Sequence, residues 1–274
     1  MRTNLSSQIS LNRVSPRYYR PENAVERSVL TRLEKIPTNI FETIDEGVVQ
    51  IANEIVAKIQ DRQREGKFCT IAVGTGASLR PLFAELIRKH KDEGVSFRNV
   101  VFFNLYEYYP LTEGAGSSFN HLNKLFLSQI DIDRQNIFTM DGTIPQEAIT
   151  EHCRLYEQRI QTFGGIDIVI MGVGREGNIG MNEPGSHASS TTRLILIDAT
   201  SRSEAAHNIG VDNLPPCSIT MGINTILNAR KVYLLAWGED KADIIRSAVE
   251  DKVSDTLPAS YLQLHANTSV CIDL

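Results

Sequence analysis

Only four cysteines occur in the chain, Cys69, Cys153, Cys217 and Cys271, and no two of them form a C-x-x-C pair. Such dispersed thiols offer neither a zinc knuckle nor a disulfide framework, and they fit buried, inert positions. Long apolar runs are missing too: none approaches the ~20 residues of a membrane-spanning helix. The opening MRTNLSSQIS has no secretory apolar core, so the cytoplasm is the expected compartment and no membrane partner is expected. Positive charge is not in excess, since 28 Lys and Arg face 33 Asp and Glu for a formal charge of -5, which argues against a nucleic-acid surface. No Gly-Lys-Ser/Thr follows any glycine turn, which excludes a Walker loop. Linkers, internal repeats and low-complexity tracts are also lacking, and the histidines show no metal-ligand spacing.

What is present is an alternation of strand-like and helix-like segments over 274 residues. Residues 1–22 carry neither period and are expected to form an N-terminal arm, with 23–274 as a single domain. Apolar residues from Ile40 and Phe41 through Ile59 make a helical stripe closed by Gly66. FCTIAVG (68 to 74), NVVFFNL (99 to 105), IDIVIM (166 to 171), RLILID (193 to 198) and KVYLLAW (231 to 237) read as buried-type strands. Helices are expected over 79–94, 117–129 and 240–250, and another opens at Thr143-Ile144-Pro145-Gln146 as a capping box with early proline. The pattern predicts an α/β fold: a mainly parallel, doubly wound sheet with helices on both faces and active residues on the loops after the strands.

Three of those loops are chemically loaded. GVGREGNIGMNEPG, Gly172 to Gly185, opens on the G-x-G-x-x-G dinucleotide fingerprint, with Asp198 about 20 residues further on. That fingerprint needs a helix to begin inside it, so that the helix N-terminus meets a pyrophosphate. Here Asn178, Gly180, Asn182, Pro184 and Gly185 follow, so a polar glycine loop is expected and no dinucleotide. GTGAS, Gly74 to Ser78, joins a strand to a helix and brings backbone N–H groups and the hydroxyls of Thr75 and Ser78 to the helix start. This suits a phosphate monoester, although a tight turn needing glycine for its backbone alone explains the same letters. FNLYEYYPL, Phe103 to Leu111, adds a Tyr/Glu cluster that is ordinarily packing and solvated charge.

Together, VGTGAS, FNLYEYYPL, GVGREGNIGMNEPG and SITMG (218 to 222) resemble the glucosamine-6-phosphate deaminase/isomerase family, whose fold is shared with 6-phosphogluconolactonases. The likeness runs from Phe68 to Leu274, and Asn182-Glu183-Pro184 resembles the deaminase branch. It implies a Rossmann-like sheet with an open-chain amino-sugar phosphate bound across the strand ends, without metal or cofactor. By the same resemblance Thr75, Gly76 and Ser78 match the phosphate loop, while Arg202 and Lys241 fall on the family's phosphate arginine and lysine. Taken singly, each of those cations reads as a solvated surface charge.

The chemical side departs from the family. Tyr106 stands where the family has its enolising aspartate, with Glu107 and Tyr108 matching beside it. Glu176 and Asn178 replace the aspartate and histidine of G-x-D-G-H, and Glu183 alone is retained. A tyrosine is ionised to about one part in a thousand at pH 7, and an asparagine amide does not titrate. Each positioned acid or base lost removes about 10²–10⁴ in rate. Glu107 as a substitute base is expected to point to the opposite face of an extended segment, and His187 to be an exposed loop residue.

Two functions follow. One is an amino-sugar phosphate deaminase or isomerase with impaired or changed chemistry, and the other is a sugar-phosphate binding or regulatory module that kept the clamp and gave up the reaction. A 6-phosphogluconolactonase is a weaker third. The chain also resembles the front part of longer proteins in which a PIG-L-type deacetylase follows, and related deaminases often form oligomers.

Overall fold

The computed structural model describes Ala24, Val25, Ser28 and residues 31–112 and 116–274, so the expected arm over 1–22 lies outside the described residues. Seven parallel strands form the main sheet: β1 (Thr38–Phe41), β2 (Cys69–Val73), β3 (Val100–Asn104), β5 (Ile137–Phe138), β6 (Ile168–Gly172), β9 (Lys231–Ala236) and β10 (Thr268–Asp273), in the order β1-β10-β9-β6-β2-β3-β5. A second sheet of three antiparallel strands, β4 (Tyr106–Tyr109), β8 (Cys217–Thr220) and β7 (Arg193–Leu196), lies in the order β4-β8-β7.

Successive strand side chains point to opposite faces, so an unbroken apolar strand serves two cores. In β2, Cys69, Ile71 and Val73 join one core while Ala72 joins the other. The first core is covered by α1 (Ile44–Arg64), which buries Val48, Ile51, Ile55 and Ile59, and by α2 (Arg80–Glu93) with Leu82, Phe83 and Leu86. Leu122 of α3 (Ser118–Leu125) belongs to the same side. The opposite core takes Ile149, Cys153, Tyr156 and Ile160 of α4 (Ile149–Thr162), together with the inner face of the small sheet. The doubly wound α/β architecture is as the residue pattern predicts.

Several local expectations are corrected. Ile40 and Phe41 do not lead α1; they pair with β10 in edge strand β1, because the Thr43 side chain accepts from the Glu46 amide and starts the helix only at Ile44. The capping box at Thr143 does not form. Its hydroxyl and amide both turn back to Asp141 Oδ1, at 2.7 and 2.8 Å, and a 3-10 turn at Gln146–Ala148 leads into α4. RLILID is not a buried strand of the main sheet either, since β7 pairs antiparallel with β8 and leaves Leu196 72% exposed.

The main sheet changes direction between β2 and β6. From β2 the chain builds outward through β3 and β5, while β6, β9 and β10 build the other way. Loops leaving such neighbours diverge and open a crevice at the carboxyl ends of the strands. α5 (Ala199–Ile209), α6 (Ile223–Leu227) and α7 (Ala242–Glu250) follow, and α5 and the start of α7 border that crevice.

Candidate functional site

A cavity of about 420 Å³ fills the crevice. Its wall is assembled from the turn after β2, the segment after β3, the loop after β6, one face of α5, and the residues after β9. A larger groove of about 950 Å³ lies against α4, β7 and α6, but it contains none of the candidate residues. There Glu157 Oε1 already accepts from the Thr192 amide, the Thr192 hydroxyl and the Thr225 hydroxyl, which are bonds that hold elements together.

Gly74, Thr75, Gly76 and Ser78 all line the cavity. Gly76 precedes a 3-10 turn (Ala77–Leu79) that runs directly into α2, so this turn presents the start of a helix to the space. Two residues missed by sequence reasoning hold it: Asn208 Nδ2 donates to the Thr75 carbonyl at 2.7 Å, and Trp237 Nε1 donates to the Ser78 carbonyl at 2.8 Å. Neither had a local signal, because both partners are distant in sequence.

Tyr106 is a wall of the cavity, and its phenol oxygen lies 2.7 Å from Thr75 Oγ1. Burial pushes its pKa up, opposed in part by the Thr75 hydrogen bond, so it is held as a neutral phenol. Glu107 points away, as the extended segment predicts. Its carboxylate accepts from the amides of Tyr108, Ser118 and Phe119 and from the Ser117 hydroxyl, which caps α3.

Asn178 also lines the cavity, and its buried Oδ1 has no hydrogen-bond partner. It is pressed so closely against Gly174 that a Cβ there would sit 1.9 Å from Oδ1, which explains glycine at that position. Glu183 is 9% exposed and does not itself line the cavity; its Oε2 accepts from Ser201, which does, while Oε1 is unpartnered. Burial raises the Glu183 pKa to about 7 despite the Ser201 bond, with the nearby carboxylates of Asp198 and Glu176 adding to the rise. Glu176 is exposed and lies outside the lining. His187 is exposed as well, with Nδ1 2.8 Å from the Ser189 hydroxyl.

Of the expected cations the cavity contains one. Lys241 lines it, 9% exposed, with Nζ 3.4 Å from Glu204 Oε1. Arg202 is not among the residues that line it. α5 turns Ser201, Glu204, Ala205 and Asn208 to the cavity, and Arg202 is one residue, about 100°, round the helix from Ser201. α5 itself was not foreseen, because ATSRSEAAHNI carries no apolar stripe; its start is fixed by Asp198, which accepts from the Thr200 amide at 2.7 Å. Among the described residues no group of three or more His, Cys, Asp or Glu side chains is placed to hold a metal ion.

Residues 42–271 match the model of the family described as glucosamine-6-phosphate isomerases/6-phosphogluconolactonase. A glucosamine-6-phosphate deaminase-like protein of Bacteroides thetaiotaomicron is 61% identical over all of this chain, which spans 42% of that relative's length. The glucosamine-6-phosphate deaminase of Shewanella woodyi is 40% identical over 80% of this chain and 84% of its own. Among solved structures, a monomeric glucosamine-6-phosphate deaminase superposes with a TM-score of 0.81 at 31% identity, covering 87% of this chain and 97% of its own.

Proposed function

The chain belongs to the family of glucosamine-6-phosphate isomerases and 6-phosphogluconolactonases, and from that premise we propose that it binds a phosphorylated amino sugar in the crevice cavity while deaminating it slowly or not at all. One observation carries the reading. The turn of Thr75, Gly76 and Ser78, the ammonium of Lys241, and the two altered positions Tyr106 and Asn178 all face a single cavity. The first set suits a phosphate, through backbone amides at a helix start and one cation.

The second set does not suit proton transfer. A neutral buried phenol takes no proton from a carbon, and an amide has none to shuttle at neutral pH. Glu183 retains a titratable carboxyl tuned near neutrality, yet it meets the cavity through Ser201. A changed reaction that uses this one carboxyl is the competing reading, and it is motivated by that pKa. In a protein as long as the Bacteroides relative, the cavity would be one unit beside others.

Incubation with glucosamine 6-phosphate, assayed for ammonia and fructose 6-phosphate, separates the two. Binding detected by calorimetry with turnover far below the ~10 s⁻¹ of an ordinary enzyme is the expected result. Turnover near that value would overturn the loss of deamination, and absence of binding would overturn the site.

A further inference from the structure

We propose that Glu204 is a resident counter-ion of the cavity, a carboxylate that an incoming phosphate must displace from Lys241 and that thereby sets which anions the cavity accepts. This rests on the reading of the cavity as a phosphate site. Its basis is the charge inventory of the lining, where, among the described residues, Lys241 is the one cation and Glu204 and Asp240 are the two carboxylates. Lys241 is not an empty-handed ammonium, for its Nζ is 3.4 Å from Glu204 Oε1, and its side chain is 11% exposed.

Two anions cannot share that ammonium without repulsion at close range, and the repulsion is strong where water is partly excluded. A phosphate monoester that takes Lys241 therefore requires Glu204 to move or to stay as an unfavourable neighbour. The structure supplies a second partner. Arg175, on the loop after β6, has Nε 3.9 Å from the same Glu204 oxygen and is 67% exposed. Glu204, at 38% side-chain exposure, thus bridges the buried cation and the solvated one through a single oxygen, and can leave the first while keeping the second. Ligand entry is then the replacement of Lys241–Glu204 by Lys241–phosphate, with Glu204 retained by Arg175. A dianion bears the whole cost of the exchange, and a neutral sugar bears none.

The test is calorimetric titration of the full chain with inorganic phosphate and with glucosamine 6-phosphate, using wild type, Glu204→Gln, Arg175→Gln, and the double variant Glu204→Gln/Lys241→Met. Glutamine keeps the volume and removes the charge, so phosphate should bind about tenfold more tightly. Loss of the alternative partner in Arg175→Gln should weaken phosphate binding about twofold to threefold, the scale of an exposed pair. In the double variant the gain should vanish, because the effect operates through Lys241. If wild type binds phosphate and Glu204→Gln binds it no more tightly, the counter-ion role is overturned while the phosphate site stands. If neither protein binds phosphate or the sugar phosphate at ~10 mM, the site itself falls and this inference with it.

Discussion

The phenol oxygen of Tyr106 lies 2.7 Å from the hydroxyl oxygen of Thr75, and Thr75 in turn lies 3.2 Å from the Ser118 hydroxyl. The position at which the family resemblance implies a proton-abstracting aspartate is thus tied to the turn of Thr75, Gly76 and Ser78. Where the resemblance implies a reagent, Tyr106 braces the turn instead: it is long enough to reach Thr75, and burial keeps its phenol neutral.

Tyr106→Phe should therefore loosen the cradle and leave any chemistry unmoved. It removes one buried hydrogen bond, so urea unfolding should show a loss of about 1 kcal/mol. Calorimetry should show weaker binding of glucosamine 6-phosphate. An unaltered affinity would mean that the bond does not hold the turn.

Restoring both altered groups should restore chemistry. The double variant Tyr106→Asp/Asn178→His supplies a carboxylate and an imidazole at the cavity wall, each worth about 10²–10⁴ in rate when positioned. Ammonia release should rise at least about 100-fold over wild type. A rate that does not rise would show that these substitutions are not what limits deamination.

Lys241→Met and Arg202→Ala should differ sharply in ligand-dependent stability. Ligand at about 100 times its dissociation constant adds ~2.7 kcal/mol to wild type. Loss of Lys241 from the cavity should abolish most of this gain in thermal-shift measurements. Arg202→Ala should keep the gain, since that side chain is off the lining face of α5.

Glu183 should make the protein less stable as pH rises. Its folded pKa of about 7 exceeds the unfolded value near 4.3. The fold therefore favours the protonated carboxyl, and that stability is fully present below pH ~4.3 and is lost as pH climbs through about 7. Glu183→Gln escapes the loss, so urea unfolding should find it close to wild type at pH 5 and more stable at pH 8, by on the order of 1 kcal/mol after solvent screening. Parallel pH profiles for the two proteins would place Glu183 in an environment that does not penalise its charge.

Much of the architecture was legible because buried parallel strands announce themselves. Cys69–Val73, Val100–Asn104 and Lys231–Ala236 are nearly unbroken apolar runs, and a segment packed on both faces has little alternative. The Gly74–Ser78 turn was legible for a related reason, since small residues between a strand and a helix put amides at a helix start. The small antiparallel sheet was not legible as such. Tyr106–Tyr109 and Cys217–Thr220 pair across more than 100 residues, and Arg193–Leu196 looked like a core strand although its outer side meets solvent.

Residue types and their spacing alone determined that this chain forms a doubly wound α/β domain with a polar turn of Thr75, Gly76 and Ser78 at a strand end, because strand burial and turn geometry are local and leave their mark in consecutive letters. Only the tertiary structure decided that Lys241 faces the cavity with Glu204 beside it, that Arg202 does not, and that Tyr106 braces Thr75. Those outcomes depend on which face of α5 and which end of β9 pack over the crevice, and packing between distant segments writes no periodic signal into a run of small polar residues.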